Sequence, residues 1–182
     1  MLRPRRIGPA LWLAPVLTLT LVLALLAGAA AAADWVPVLF VNDGDTITVR
    51  LHGRKELVRL LGVDAPESGH SLKLRRAARQ AGRTPQEEAR LGQMARGFVL
   101  ELLPRGSRVR LEGDARAGER DRYGRLLAYV YLQNGQLLNA LLLQEGQARV
   151  YGACHCARLG QFKIWEAQAR AQGRGLWPLG GP

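Results

Sequence analysis

VNDGDTITVRLHGRKELVRLLGVDAPE, residues 41–67, is the stretch that decides the fold. Thr46–Leu51 and Val58–Gly62 are short and rich in β-branched and aliphatic residues, the composition of strands. Asn42-Asp43-Gly44-Asp45 is a turn signal before the first of them, and His52-Gly53-Arg54 is another between the two. Asp64-Ala65-Pro66-Glu67 then stops the run, because proline has no N–H to give to a ladder. Upstream, Val36–Phe40 reads as one more strand, so three strands joined by short turns open the domain.

Downstream the pattern changes. Ser68–Arg83 is polar and basic, with Lys73, Arg75, Arg76, Arg79 and Arg83, and is expected to be a surface loop with a helical turn in it. Its five basic residues are read as a patch that tracks phosphates. Thr84-Pro85-Gln86-Glu87 is a helix start, with a Thr cap, Pro at the first helical position and Glu placed to close a capping box. Leu91, Met94, Ala95, Phe98, Val99, Leu102 and Leu103 occur at helical spacing until Pro104-Arg105-Gly106. Strands are expected at Ser107–Leu111, Leu126–Leu132 and Ala148–Tyr151. Helices are expected at Leu137–Glu145 and Ala157–Gln172, the last burying Leu159, Phe162, Ile164, Trp165 and Ala169. Strands first, then a helix, more strands and two helices describe a small α+β domain around a compact barrel, not an alternating parallel sheet.

The chain has 182 residues, with 26 Lys+Arg against 15 Asp+Glu and 48% hydrophobic residues, which excludes a disordered chain. Two cysteines exclude a disulfide-rich scaffold. Residues 1–33 are a different material. Arg3, Arg5 and Arg6 precede an uncharged, aliphatic run that exits through small residues before Asp34. This is the pattern of a signal peptide cut after Ala33, or of an uncleaved N-terminal membrane anchor. Either way residues 34–182 are exported, as a periplasmic or secreted domain or one tethered outside the cytoplasm. That domain remains strongly basic, and such a surface attracts polyanions.

The acids gather at two strand ends: Asp43 and Asp45 in one turn, Asp64 and Glu67 in the other. Four carboxylates meeting at one point would repel one another, so a hard cation such as Ca²⁺ is their natural occupant. Arg59 lies inside a strand and Arg125 comes directly after Asp121-Arg122-Tyr123-Gly124. Guanidinium forks match phosphate oxygens. Acids that hold a metal beside arginines that hold a phosphate make up the electrostatics of phosphodiester hydrolysis.

With these residues in view, the chain resembles the staphylococcal nuclease family. VNDGDTITV, VRLLGVDAPE, DRYGRLLAYVYL (121–132), NALLLQEGQARVY (139–151) and GRGLW (173–177) occur in that family's order and spacing, over nearly all of 36–177. The resemblance implies a five-stranded OB-fold barrel with three α-helices, monomeric, and Ca²⁺-dependent cleavage of DNA and RNA that leaves 3′-phosphate ends. By position it makes Asp45 and Asp64 side-chain ligands of calcium and Ala65 a backbone-carbonyl ligand. The family's best-known member has Thr where Ala65 stands, a change that preserves the carbonyl. Asp43 matches an acid just behind the metal, and Glu67 the carboxylate that activates or orients the attacking water. Arg59 and Arg125 match two phosphate-binding arginines. Tyr123 matches a ring near the nucleotide, Tyr151 approximately matches another, and Arg122 replaces a lysine. Ser68–Arg83 is longer and richer in arginine than its counterpart, so no contacts transfer there.

Two alternatives stand beside this reading. A barrel of this kind can serve as a non-catalytic nucleic-acid-binding module. Cys154-His155-Cys156 lacks a fourth zinc ligand and leaves open a disulfide, free thiols or a bridge to another molecule.

Overall fold

The computed structural model describes residues 35–69 and 72–177. The leader assigned to residues 1–33 lies outside them. Among the described residues no helix is long and apolar enough to cross a membrane. In chain order the elements are β1 (Trp35–Asp43), β2 (Thr46–Leu51), β3 (Arg54–Leu60), β4 (Val63–Asp64), α1 (Leu72–Gln80), α2 (Pro85–Leu102), β5 (Arg108–Glu112), β6 (Leu126–Tyr131), α3 (Leu138–Gln144), β7 (Arg149–Val150) and α4 (Leu159–Ala171).

Five strands close into a barrel in the order β1-β2-β3-β6-β5, with β5 returning to pair with β1. This is the OB-type barrel expected. β3 and β6 run parallel, while the other barrel neighbours are antiparallel. Two registers bring distant charged residues to one end of the barrel. Thr46 stands opposite Arg59, and Leu127 stands beside Arg59 on the other flank. Asp45 and Arg125, within two positions of these paired residues, are thereby carried to Arg59's end.

Alternation explains the barrel interior. Ile47, Val49, Val58, Val109 and Val130 are fully buried, and each contributes roughly 1.5–3 kcal/mol by leaving water. α2 lays Ala95 and Val99 on this core, and α3 adds Leu138, Leu142 and Leu143. The buried Asn139 carboxamide accepts from the Val130 N–H and donates to the Leu61 carbonyl, both at 2.9 Å, which ties α3 to β6 and to the turn before β4. At the start of α2 the capping box is present. Thr84 Oγ1 accepts from the Glu87 N–H at 3.2 Å, and Glu87 Oε2 accepts from the Thr84 N–H at 2.8 Å.

Three helices are implied by the resemblance, and the described residues contain four. The addition is α1, where a surface loop with one helical turn is expected. No Gly or Pro interrupts residues 72–80, and Leu, Arg, Ala and Gln all favour helix. Nine residues are too few to hold a helix alone. Packing on α2 supplies the rest, with Leu74 and Ala78, one turn apart, only 4% and 1% exposed. A second correction concerns Ile164, which is 51% exposed because Phe162 and Ala169 define the inward face of α4.

Candidate functional site

The site is built around Arg59. Its Nη1 lies 3.1 Å from Asp45 Oδ2 and its Nη2 lies 3.0 Å from Asp64 Oδ1, so one guanidinium bridges the two acids. Nη1 also donates to the Val63 carbonyl at 2.7 Å, which fixes the fork against the β3–β4 turn. Asp45 is buried and held on both oxygens: Oδ1 accepts from the Thr46 hydroxyl and Oδ2 from the Ala65 N–H, both at 2.9 Å. Asp64, by contrast, is well exposed. The two carboxylates therefore converge on one positive charge, which here is the Arg59 guanidinium, where the sequence reading places a hard cation.

A cleft of about 500 Å³ opens beside this cluster. Arg59, Asp64, Arg122, Tyr123, Arg125 and Tyr151 all line it. Arg125 is held by Asp121, whose Oδ2 lies 2.7 Å from both its Nε and its Nη2. The Asp121 carboxyl also accepts from the N–H groups of Tyr123 and Arg125. Burial pushes Asp121 up, but the Arg125 side chain and these backbone bonds outweigh it and its pKa falls below the usual carboxylate range. Tyr123 is 69% exposed and has the Arg122 and Arg125 guanidiniums 4.8 and 5.6 Å from its ring centre. A wet aromatic face flanked by two cations suits a stacked base beside a phosphate. Tyr151 is tied in through its N–H, which donates to the Gly62 carbonyl at 2.9 Å.

Ala65 and Glu67 face a smaller cavity of about 80 Å³ that shares Asp64 with the cleft. Asp43 stands behind, its Oδ1 accepting from the Gly44 N–H at 2.9 Å. Burial above all pushes its carboxyl above the usual range. The charges of Asp45 and Glu67 push the same way, against hydrogen bonds from Gly44 and Ser68. Asp43 thus feels the field of two neighbouring acids. Among the described residues no three Asp, Glu, His or Cys side chains form a metal cage. Side chains alone supply Asp45 and Asp64, so a hard cation would need further oxygens from the main chain or water. An all-oxygen set of this kind suits a hard divalent cation.

Some residues of the site are silent in the sequence. Asp121 is one, although its place four before Arg125 hints at the pair. Arg149 is another: it stands opposite Asp64 in the β4–β7 pair and lines the smaller cavity with Glu67 and Glu88. Burial first, and then the charge of Arg83, pulls its pKa down. Its Nε is buried with no hydrogen-bond partner among the described residues. Gly44 and Gly92 matter through what they lack. A Cβ on Gly92 would fall 2.3 Å from the Glu67 carbonyl carbon, and one on Gly44 would fall 2.7 Å from the Ala65 Cβ. Finally, Cys154 and Cys156 are joined as a disulfide, the first of the three states open to them, with Cys154 in the cleft wall.

A five-stranded barrel with this acid–arginine end defines a class, and over residues 57–178 the chain matches the family described as staphylococcal nuclease homologue, to which it belongs. It is 34% identical over 142 residues to endonuclease YncB of Bacillus subtilis, covering 76% of this chain and 59% of that one. It is 39% identical over 109 residues to the thermonuclease of Staphylococcus intermedius, covering 60% and 55% of the two chains. To the micrococcal nuclease of Shigella flexneri it is 33% identical over 148 residues, covering 77% and 71%. The chain thus spans little more than half the length of the Bacillus and Staphylococcus relatives.

Proposed function

We propose that this chain is an exported, calcium-dependent nuclease that hydrolyses phosphodiester bonds of DNA and RNA and leaves 3′-phosphate ends. The observation that carries the reading is the shared cleft in which Arg59, Asp64, Arg125 and Tyr123 meet. The names of the relatives point the same way. Export is inferred from the leader-like composition of residues 1–33.

Asp45, Asp64 and the Ala65 carbonyl would hold the cation, which supplies positive charge to the phosphoryl oxygens. Glu67, beside Asp64 in the smaller cavity, accepts a proton from the attacking water or orients it. Arg125 faces the cleft with Nε and Nη2 fixed by Asp121, and the guanidinium N–H groups that Asp121 leaves over would meet the charge that builds on the phosphoryl oxygens. Arg59, which lines the same cleft, adds a second guanidinium, and Tyr123 offers its ring to a base.

The test uses the full-length chain with DNA and with RNA, in calcium or in a chelator, and maps the product ends. Cleavage to 3′-phosphates in calcium alone is the expected result. Arg125→Ala and Glu67→Ser should each lower turnover about a hundredfold or more with the fold retained by circular dichroism. Full activity in both variants overturns these roles. Binding without cleavage in calcium would instead make the barrel a nucleic-acid-binding module.

A further inference from the structure

We infer that α1 is a docking surface for the sugar–phosphate backbone of a nucleic-acid strand that runs on past the reacting phosphate. The inference rests on the nuclease reading and narrows its substrate to strands of several nucleotides. The helix turns Leu74 and Ala78 into the protein and leaves Arg75, Arg76 and Arg79 exposed. At 3.6 residues per turn these three share a face roughly 100° wide, with Arg75 and Arg79 stacked one turn apart. The helix contains no acid. Among the described residues none of the three guanidiniums lies within ion-pair distance of a carboxylate. Elsewhere Arg110, Arg120, Arg158, Arg170 and Arg174 each sit within 3.4 Å of one.

Position gives this charge a purpose. Ala77 and Gln80 of the same helix line the cavity that holds Asp64 and Glu67, so the helix that walls the site carries the arginines on its neighbouring, solvent-facing side. Asp43, Asp45, Asp64 and Glu67 repel an incoming polyanion, and three uncompensated cations alongside offset that repulsion. α1 carries no aromatic or amide side chain except Gln80, so it can grip a backbone but has little with which to read bases. An anionic membrane is the poorer partner. A helix that lies on lipid presents an apolar face, whereas α1 exposes Leu72 alone among its large apolar residues.

The test compares the full-length chain with its Arg75→Gln/Arg76→Gln/Arg79→Gln variant. Binding to a single strand of about 16 nucleotides is measured without divalent cation, between about 50 and 200 mM salt. Loss of three phosphate contacts should make the slope of log K against log salt shallower by about 2, at roughly 0.7 per contact on a single strand. The triple Arg→Lys variant should keep most of the slope. With calcium present, the ratio of kcat/KM on the long strand to that on a dinucleotide should fall about tenfold or more. An unchanged slope, or equal losses on both lengths, overturns the inference. So does a variant that loses binding to phosphatidylserine vesicles while holding the strand as before. If neither protein cleaves either substrate, the nuclease reading fails, and the salt slope still decides the role of α1.

Discussion

Asp114 is buried and has no part in the cleft chemistry, yet it fastens the last helix to the barrel. Its Oδ2 accepts from the Tyr129 hydroxyl at 2.7 Å and from the Ala157 N–H at 2.6 Å, and its Oδ1 from the Arg116 N–H at 2.9 Å. Burial pushes this carboxyl up, but the bonds from Tyr129, Ala157 and Arg116 together hold it below the usual range. For Tyr129, burial first and the Asp114 bond second act in one direction, and the phenol is pushed up to about 12. Folded Asp114 therefore keeps its charge to lower pH than in the unfolded chain. Its contribution is complete above the unfolded value and drains away as pH falls through the folded one. The Tyr129 contribution is complete below its unfolded value near 10 and is lost as pH rises toward 12. Tyr129→Phe should cost about 1–3 kcal/mol at neutral pH, since Asp114 loses a buried donor. It should also abolish a phenolate absorbance step near pH 12, read as a difference spectrum against the parent chain. A step near pH 10 in that difference would refute the coupling.

α2 is where element-scale packing reaches the site. Gly92 and Ala95, three apart on one face, are the seats for the Glu67–Ser68 peptide and for the 43–45 turn. Gly92→Ala is expected to lower turnover by about tenfold or more, because the new methyl group meets the 67–68 backbone and Glu67 must move. Gly97→Ala is the control on the same helix. Nothing lies within 4 Å of its added Cβ, so it should stabilise by about 0.5–1 kcal/mol through helix propensity alone. Equal kinetics in the two variants, measured as kcat on one substrate, would dismiss Gly92 as a positioning residue. The capping box at Thr84 and Glu87 was readable because its chemistry is local. Gly92 was not, since its reason lies in a loop more than twenty positions away along the chain. α1 escaped for a different reason: with Leu74 and Ala78 as its inward pair and no cap signal, its pattern looks like a solvated loop until α2 is placed beneath it. Asp45, Arg59 and Asp64 were legible as a motif. That Arg59 would bridge both acids was not, because partner choice depends on the β2–β3 register.

For the molecule as a whole, strand and helix order sufficed to read an α+β domain, but barrel closure and the parallel β3–β6 pairing depend on contacts across α1, α2 and β5 that no local pattern records. The chain's last described residues complete the packing. Leu176 is 6% exposed and its N–H donates to the Gly146 carbonyl at 2.9 Å, while Arg174 Nη1 meets Glu145 at 2.9 Å. Trp177 comes next, its ring centre 5.5 and 3.9 Å from the Arg149 and Arg170 guanidiniums, and Arg149 pairs through its backbone with Asp64. Leu176→Ala should cost about 2–3 kcal/mol in urea unfolding, and an unmoved midpoint would show that this segment only rests on the surface. The β3–β6 seam has a consequence in time. Arg59 is made early and Arg125 late, and they become neighbours only when the later strand slots in beside the earlier one. A polypeptide still leaving the ribosome with β6 unmade therefore holds only one of the two guanidiniums that line the finished cleft.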